Sequence, residues 1–114
     1  MNQMKLIYVA GPYRADSVSL MRENIRRAEA VAAFVWQMGY AALCPHMNSA
    51  FFDGLVPDRN FLNGSIRMME MCDGVILVDG WEKSQGTKEE IFRAGELGIP
   101  VLNGTEELFD YEWA

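Results

Sequence analysis

The sequence has 114 residues, of which 50% are hydrophobic and 23% charged, and it predicts one domain spanning residues 1–114. The formal net charge of -6 at pH 7 argues against a general nucleic-acid-binding face, although a small phosphorylated ligand remains compatible with it. The N-terminus lacks signal-peptide architecture and the apolar runs are too short to span a bilayer, so we expect a cytoplasmic protein that does not contact membranes.

Metal-ligating residue types are sparse. The chain has two cysteines, Cys44 and Cys72, without C-x-x-C spacing, and a single histidine, His46. These residues form no recognisable metal-binding set, so we expect reduced thiols, no metal and no cofactor.

The first strand and the first helix are predicted from their apolar patterns. Residues 5–10 predict the first strand, because the run that follows Lys5 is apolar on both faces, as in a buried parallel strand. The loop after it, residues 11–14, does not read G-x-G-x-x-G, so a dinucleotide site of the usual kind is not indicated. Ser17 or Ser19 is expected to cap a long helix that ends before Gly39.

A long irregular connection follows the second strand. Residues 40–44 predict that strand, and the connection extends from Pro45 to Asp58. Connections of this length in a compact domain are often functional, and this one carries His46 and Asn48. His46 either bonds to nearby backbone, as many loop histidines do, or contributes to a site.

The remaining elements continue the alternation of helices and strands. A helix from Asn60 or Asn63 to Met71 precedes a third strand at residues 74–78, and residues 99–102 predict a fourth. The expected fold is therefore α/β, a single-domain doubly wound (flavodoxin/Rossmann-like) parallel sheet of four to five strands with helices on both faces.

The stretch from Asp79 to Ala94 joins the third strand to a helix. Its Thr87-x-x-Glu90 sequence is typical of a capping box, in which Glu90 serves only to begin the helix. The same stretch also lies at the carboxyl edge of the sheet, where ligands bind in open α/β folds. A site there would use Glu90 rather than Glu89, because Glu90 shares the inward helix face with Ala94.

Three motifs together resemble a known superfamily. They are Tyr8-Val-Ala-Gly-Pro-Tyr-Arg14, Ser84-x-Gly86-x-x-x-Glu90-x-x-x-Ala94 and Gly-Ile-Pro-Val at residues 98–101. In order and spacing they resemble the nucleoside 2-deoxyribosyltransferase superfamily, and within it the deoxynucleoside 5′-monophosphate N-glycosidases and small uncharacterised relatives. The resemblance covers residues 6–101.

The resemblance implies roles for individual residues. Glu90 matches the glutamate that attacks the sugar C1′, and Tyr8 matches the tyrosine that orients this carboxylate. Arg14 and Ser84 match positions where the hydrolases hold the 5′-phosphate. The predicted substrate-binding residues are Gly11, Arg14, His46, Asn48, Ser65, Trp81, Ser84 and Gly86.

Ser65 departs from the family, which has its acid/base aspartate at this position. A serine cannot usefully protonate a departing base near neutral pH. Three explanations stay open: the substrate needs no acid, the protein binds without efficient turnover, or another group supplies the proton. The candidates for that group are Asp79, Glu82, His46 and Asp53.

The predicted function is cleavage or transfer of an N-glycosidic bond on a nucleoside or nucleoside 5′-monophosphate, through a glycosyl-Glu90 intermediate. The alternative is a weakly catalytic or non-catalytic nucleotide-binding or sensing protein on the same fold.

The tail from Thr105 carries Leu108, Phe109, Tyr111 and Trp113, which is too much apolar surface for a free end. It is expected to pack on its own domain or on a neighbour, and the family resemblance implies a homodimer or a larger even assembly.

Overall fold

The computed structural model describes residues 3–114. Strands and helices alternate along the chain. The elements are β1 (Leu6–Ala10), α1 (Val18–Gln37), β2 (Ala41–Leu43), α2 (Pro45–Asn48), α3 (Asp58–Met69), β3 (Gly74–Leu77), a 3₁₀ turn (Trp81–Lys83), α4 (Gln85–Leu97), β4 (Val101–Leu102) and α5 (Thr105–Asp110).

The strands form one parallel sheet in the order β2-β1-β3-β4. At the centre of the sheet, Tyr8 lies in register with Leu43 on one side and Val75 on the other. The predicted α/β class with a parallel sheet is therefore confirmed. Residues 3–114 contain four strands of this sheet, so the range of four to five is met at its lower bound.

Alternation along β1 divides the core into two layers. Ile7 and Val9 face a cluster that includes Val35 of α1 and Leu108 of α5. Tyr8 and Ala10 face the opposite side, in a cluster that includes Met69 of α3 and Ala94 of α4. Successive strand side chains point to opposite faces, so this register directs Tyr8 towards the face covered by α3 and α4.

Ser17 caps α1, because its side chain accepts a hydrogen bond from the Leu20 backbone N–H. Gly98 ends α4 with a φ of 71°, a conformation that glycine adopts without steric penalty. Both helix ends were predicted from their residue types.

Several predicted boundaries differ from the structure. The connection after β2 is not irregular throughout, since Pro45 begins the short helix α2 at a position where a missing backbone N–H is tolerated. The helix α3 begins at Asp58, before the predicted start, and β4 has only two residues. The flanking Pro57 and Pro100 restrict the backbone at these ends.

The C-terminal tail packs on its own domain. Leu108 of α5 is buried, and the Trp113 indole Nε1–H donates to the Tyr40 hydroxyl at 2.8 Å. Phe109 remains exposed on the same helix.

None of the helices in residues 3–114 combines the length and apolarity needed to cross a bilayer.

Candidate functional site

A cavity of about 740 Å³ opens at the carboxyl edge of the sheet. Its walls come from α1, from the segments after β1, β2 and β3, and from the facing sides of α3 and α4. Eight of the ten residues predicted for a site line it: Tyr8, Gly11, Arg14, His46, Ser65, Ser84, Gly86 and Glu90.

Tyr8 and Glu90 meet at the buried end of this cavity. They are separated by 82 positions in the sequence, and the Tyr8 hydroxyl donates a hydrogen bond to Glu90 Oε2. Tyr8 is 1% exposed and Glu90 is 6% exposed. No hydrogen bond within residues 3–114 engages Glu90 Oε1, so this oxygen is the one available to a ligand.

Burial dominates the ionisation of both groups. Desolvation raises the pKa of Glu90 to about 7, while the Tyr8 hydrogen bond acts in the opposite direction and the charge of Glu89 adds to the rise. Desolvation, followed by the nearby Glu90 charge, raises the pKa of Tyr8, which therefore stays a neutral donor. Glu90 is thus a carboxyl group that titrates near neutral pH.

The predicted capping box is wrong, because Ser84 caps α4 one turn earlier. The Ser84 Oγ accepts hydrogen bonds from the Thr87 backbone N–H at 3.2 Å and from the Thr87 hydroxyl at 2.9 Å. Thr87 is buried inside the first turn, where it cannot act as the cap. Glu90 is therefore released from capping and directs its carboxyl group to Tyr8.

Ser65 lies beside the Tyr8–Glu90 pair. It is half-buried on α3 and lines the cavity near Tyr8. Ser65 lowers the pKa of Tyr8, in opposition to burial and the Glu90 charge. The position at which the resemblance predicts an aspartate therefore lies in the same cavity as Tyr8 and Glu90.

His46 is held by the loop that follows β1. Its Nε2–H donates to the Pro12 carbonyl oxygen at 2.9 Å, and its buried Nδ1 has no hydrogen-bond partner within residues 3–114. Burial lowers the pKa of His46, so the imidazole is neutral at pH 7. The histidine therefore bonds to nearby backbone and also lines the cavity, so the two alternatives predicted from the sequence do not exclude each other.

Arg14 lies in an ionic network at the mouth of the cavity. Its guanidinium contacts Asp53 at 3.0 Å and also donates a hydrogen bond to Asp58. Tyr13 donates to the same Asp53 at 2.7 Å and accepts from the Phe51 backbone N–H at 2.8 Å. Tyr13 and Asp58 were not predicted as site residues, and their only sequence signal is proximity to a motif and to the long connection.

Gly11 lies where a side chain would collide with the core. A Cβ atom at this position would be 2.6 Å from Val78 Cβ. Gly86 differs, because a Cβ there would make ordinary contact with Leu62 at 3.5 Å. Close packing of β1 against the end of β3 therefore explains the first glycine but not the second.

The structure does not bring Asn48 and Trp81 into the cavity lining. Asn48 ends α2 with an exposed side chain, and Trp81 packs against the core cluster on the α3 and α4 face. Two of the candidate proton donors, Asp79 and Glu82, are also exposed and outside the lining. No group of three or more His, Cys, Asp or Glu side chains in the described chain is arranged to hold a metal ion.

Solved structures of similar architecture include the 2-deoxyribosyltransferase of Bacillus psychrosaccharolyticus. The likeness has a TM-score of 0.64 at 14% identity and covers 95% of this chain and 93% of that one. The Leishmania mexicana 2-deoxyribosyltransferase gives a TM-score of 0.58 at 25% identity, covering 86% of this chain. A conserved protein from Enterococcus faecalis V583 gives 0.58 at 22% identity, covering 87% of this chain. This chain spans only 62% of the length of each of the latter two.

These likenesses define the class: the chain has a nucleoside 2-deoxyribosyltransferase-like fold, as its motifs predicted. Within residues 5–103 it matches the model of the domain of unknown function DUF7768, and the chain belongs to this family. A search of curated proteins finds no match.

Proposed function

We propose that this protein cleaves or transfers the N-glycosidic bond of a nucleoside or nucleoside 5′-monophosphate, with Glu90 as the nucleophile. The observation that carries the proposal is the buried Tyr8–Glu90 hydrogen bond at the closed end of a cavity on the carboxyl edge of the sheet. Two of the similar structures are 2-deoxyribosyltransferases, which supports a nucleoside as the ligand.

The proposed chemistry has two displacements. Glu90 Oε1 attacks C1′ of the sugar as the bond from C1′ to the base nitrogen breaks and its electron pair leaves with the base. The product is a glycosyl ester of Glu90, which water or a second base then opens at C1′ to restore the carboxylate. Tyr8 holds Oε2 and so fixes the direction of Oε1.

The ionisation of Glu90 limits the first displacement. Only the carboxylate attacks, and a group with a pKa of about 7 is about half ionised at neutral pH. The rate is therefore expected to rise as the pH increases through 7.

Among the four candidate proton donors, only His46 and Asp53 line the cavity, and neither is well suited to protonate the departing base. His46 is neutral and its Nε2–H is bonded to Pro12, and the Tyr13 hydrogen bond lowers the pKa of Asp53. Both of the candidate donors that line the cavity are therefore poor proton donors at pH 7. Purines and activated bases, which leave more readily or carry their own protonation site, are the expected substrates.

The alternative function is binding or sensing of nucleosides or nucleotides with little turnover. The specific observation in its favour is Ser65, a poor acid, at the position beside Tyr8 where the superfamily has an aspartate. A site of this kind would keep its ligand contacts and lose most of the assistance to the leaving group.

One experiment separates the two functions. The native protein is incubated with a panel of nucleosides and their 5′-monophosphates, and free base is measured by chromatography while the protein mass is checked for a glycosyl adduct. We expect base release that Glu90→Gln abolishes and that Glu89→Gln retains, since Glu89 forms an ion pair with Arg59 at 2.8 Å outside the Tyr8 contact.

Ligand-dependent thermal stabilisation without base release would support the binding function instead. Base release that persists in Glu90→Gln would contradict the role of Glu90. Neither binding nor release with any member of the panel would overturn both functions.

A further inference from the structure

The loop after β1 and the connection between α2 and α3 are joined by ionic contacts around one guanidinium. Arg14 contacts the carboxylates of Asp53 and Asp58, which come from a segment about 40 residues further along the chain. The Tyr13 hydroxyl donates to Asp53 and is itself fixed by the Phe51 backbone N–H. Two carboxylates therefore form ion pairs with the Arg14 guanidinium, which the resemblance assigns to binding a 5′-phosphate.

The contacts of Asp53 favour its charged form. The Tyr13 hydrogen bond, with a smaller contribution from Arg14, lowers the pKa of Asp53. Asp58 is exposed in the first turn of α3, where the positive end of the helix dipole favours an anion. An anion such as a 5′-phosphate could therefore reach Arg14 only by displacing these carboxylates or by lying beside them.

The rest of the cavity offers little unpaired positive charge. Each of the three arginines in the lining already has carboxylate partners: Arg14 with Asp53 and Asp58, Arg27 with Glu23 at 3.6 Å, and Arg59 with Glu89 at 2.8 Å. Lys83 is the remaining basic residue of the lining. The other group assigned to phosphate, the Ser84 hydroxyl, carries no charge, and its Oγ accepts two hydrogen bonds from Thr87.

We propose that Asp53 and Asp58 are specificity determinants that occupy Arg14 and so favour nucleosides with a free 5′-hydroxyl over nucleoside 5′-monophosphates. The inference rests on the proposed function, because it names which of the two substrate classes the site takes. A hydroxyl can hydrogen-bond to a carboxylate, whereas a phosphate dianion beside two carboxylates is repelled. The aspartates thus discriminate by placing like charge where a 5′-phosphate would bind.

The test compares two ligands on matched variants. Dissociation constants are measured calorimetrically for 2′-deoxyadenosine and its 5′-monophosphate, on the otherwise native protein and on Asp53→Asn/Asp58→Asn. Every protein in this comparison also carries Glu90→Gln, so that neither ligand is consumed during the titration. Asparagine keeps the size and a hydrogen-bonding oxygen while removing the charge. Asp110→Asn, an exposed change at the end of α5 outside the cavity, shows whether changing one remote surface charge has any effect.

The native protein and Asp110→Asn are expected to bind the nucleoside more tightly than the monophosphate. The double variant should shift the ratio of the two affinities by roughly 10-fold or more towards the monophosphate, the range of a charge-assisted hydrogen bond. Adding Arg14→Ala to the double variant should cancel that gain, because the freed guanidinium is its source.

A native protein that prefers the monophosphate would overturn the proposal, and so would a double variant that changes both affinities equally. The second result would mean that the network only holds the loop in place. In either case, base release from the nucleoside by the native protein would leave the proposed function standing. If neither ligand binds to any variant and no base is released, the proposed function and this inference both fail.

Discussion

At the residue scale, Glu90 makes the stability of the fold depend on pH. Its pKa is about 7 in the folded protein against an ordinary value of 4.5. The folded state therefore binds this proton more tightly than the unfolded state does. Linkage then lowers the free energy of unfolding as the pH rises from about 4.5 to about 7, by on the order of 3 kcal/mol.

We predict that Glu90→Gln is more stable than the native protein at pH 8, because glutamine removes the cost of a buried charge. The two proteins should be closer in stability at pH 4.5, where Glu90 is protonated. Urea unfolding at the two pH values measures both differences. Glu89→Gln is the matched control with the opposite sign, since the Arg59 hydrogen bond lowers the pKa of Glu89. A native protein that gains stability over Glu90→Gln towards pH 8 would contradict this account.

Tyr8→Phe tests how the hydrogen bond acts on Glu90. The bond lowers the pKa of Glu90, so its removal should move the midpoint of the pH–rate profile for base release to higher pH. The rate at pH 7 should fall at the same time, because less carboxylate is present. A lower rate with an unchanged midpoint would mean that Tyr8 only supports the packing.

Ser65→Asp places a carboxyl group beside Tyr8 and Glu90. Two carboxyl groups at one site push their pKa values apart, which favours one acid and one ionised nucleophile. We therefore expect faster release of a poor leaving group, by up to about 10²–10⁴-fold, and a smaller gain for a good one. Paired rate measurements on one substrate of each kind test this, with Ser65→Asn as the uncharged control. A loss of rate on both substrates would mean that Ser65 is not the missing acid position.

At the scale of elements, Gly11 determines how closely β1 approaches the end of β3. Alanine at this position would place a Cβ 2.6 Å from Val78 Cβ, so Gly11→Ala should lower the free energy of unfolding by about 1–3 kcal/mol. Gly64→Ala is the matched control, because it lies within α3 with no atom within 4 Å of the added carbon. That change should stabilise the helix by roughly 0.5–1 kcal/mol. Chemical denaturation of both variants checks the pair, and equal effects would contradict the packing argument.

At the scale of the whole molecule, large apolar side chains remain on the surface of several helices. They include Phe34 and Trp36 of α1, Phe92 of α4 and Phe109 of α5. Such surfaces often mark contacts between subunits, so we predict a homodimer or a larger even assembly. Light scattering over a range of concentrations measures this, and a monodisperse monomer at micromolar concentration would contradict it.

The sequence by itself determined the order of the strands and of the long helices, and eight of its ten predicted site residues line the cavity. Unbroken apolar runs such as residues 74–77 are typical of strands covered on both faces, and helix ends at Ser17 and Gly98 follow from local backbone chemistry. Parallel strands end at one edge of their sheet. Residues that directly follow the strands, such as Gly11 and His46, are therefore expected to converge there.

Only the tertiary structure decided which partners those residues have. Ser84 rather than Thr87 caps α4, because Thr87 is buried and bonds back to Ser84, and this leaves Glu90 for Tyr8. Arg14 pairs with Asp53, because a loop some 40 residues away folds over it. Hydrogen bonds and ion pairs are short-ranged and compete for the same atoms. Their choice of partner therefore depends on the final positions of distant segments, which local sequence patterns do not specify.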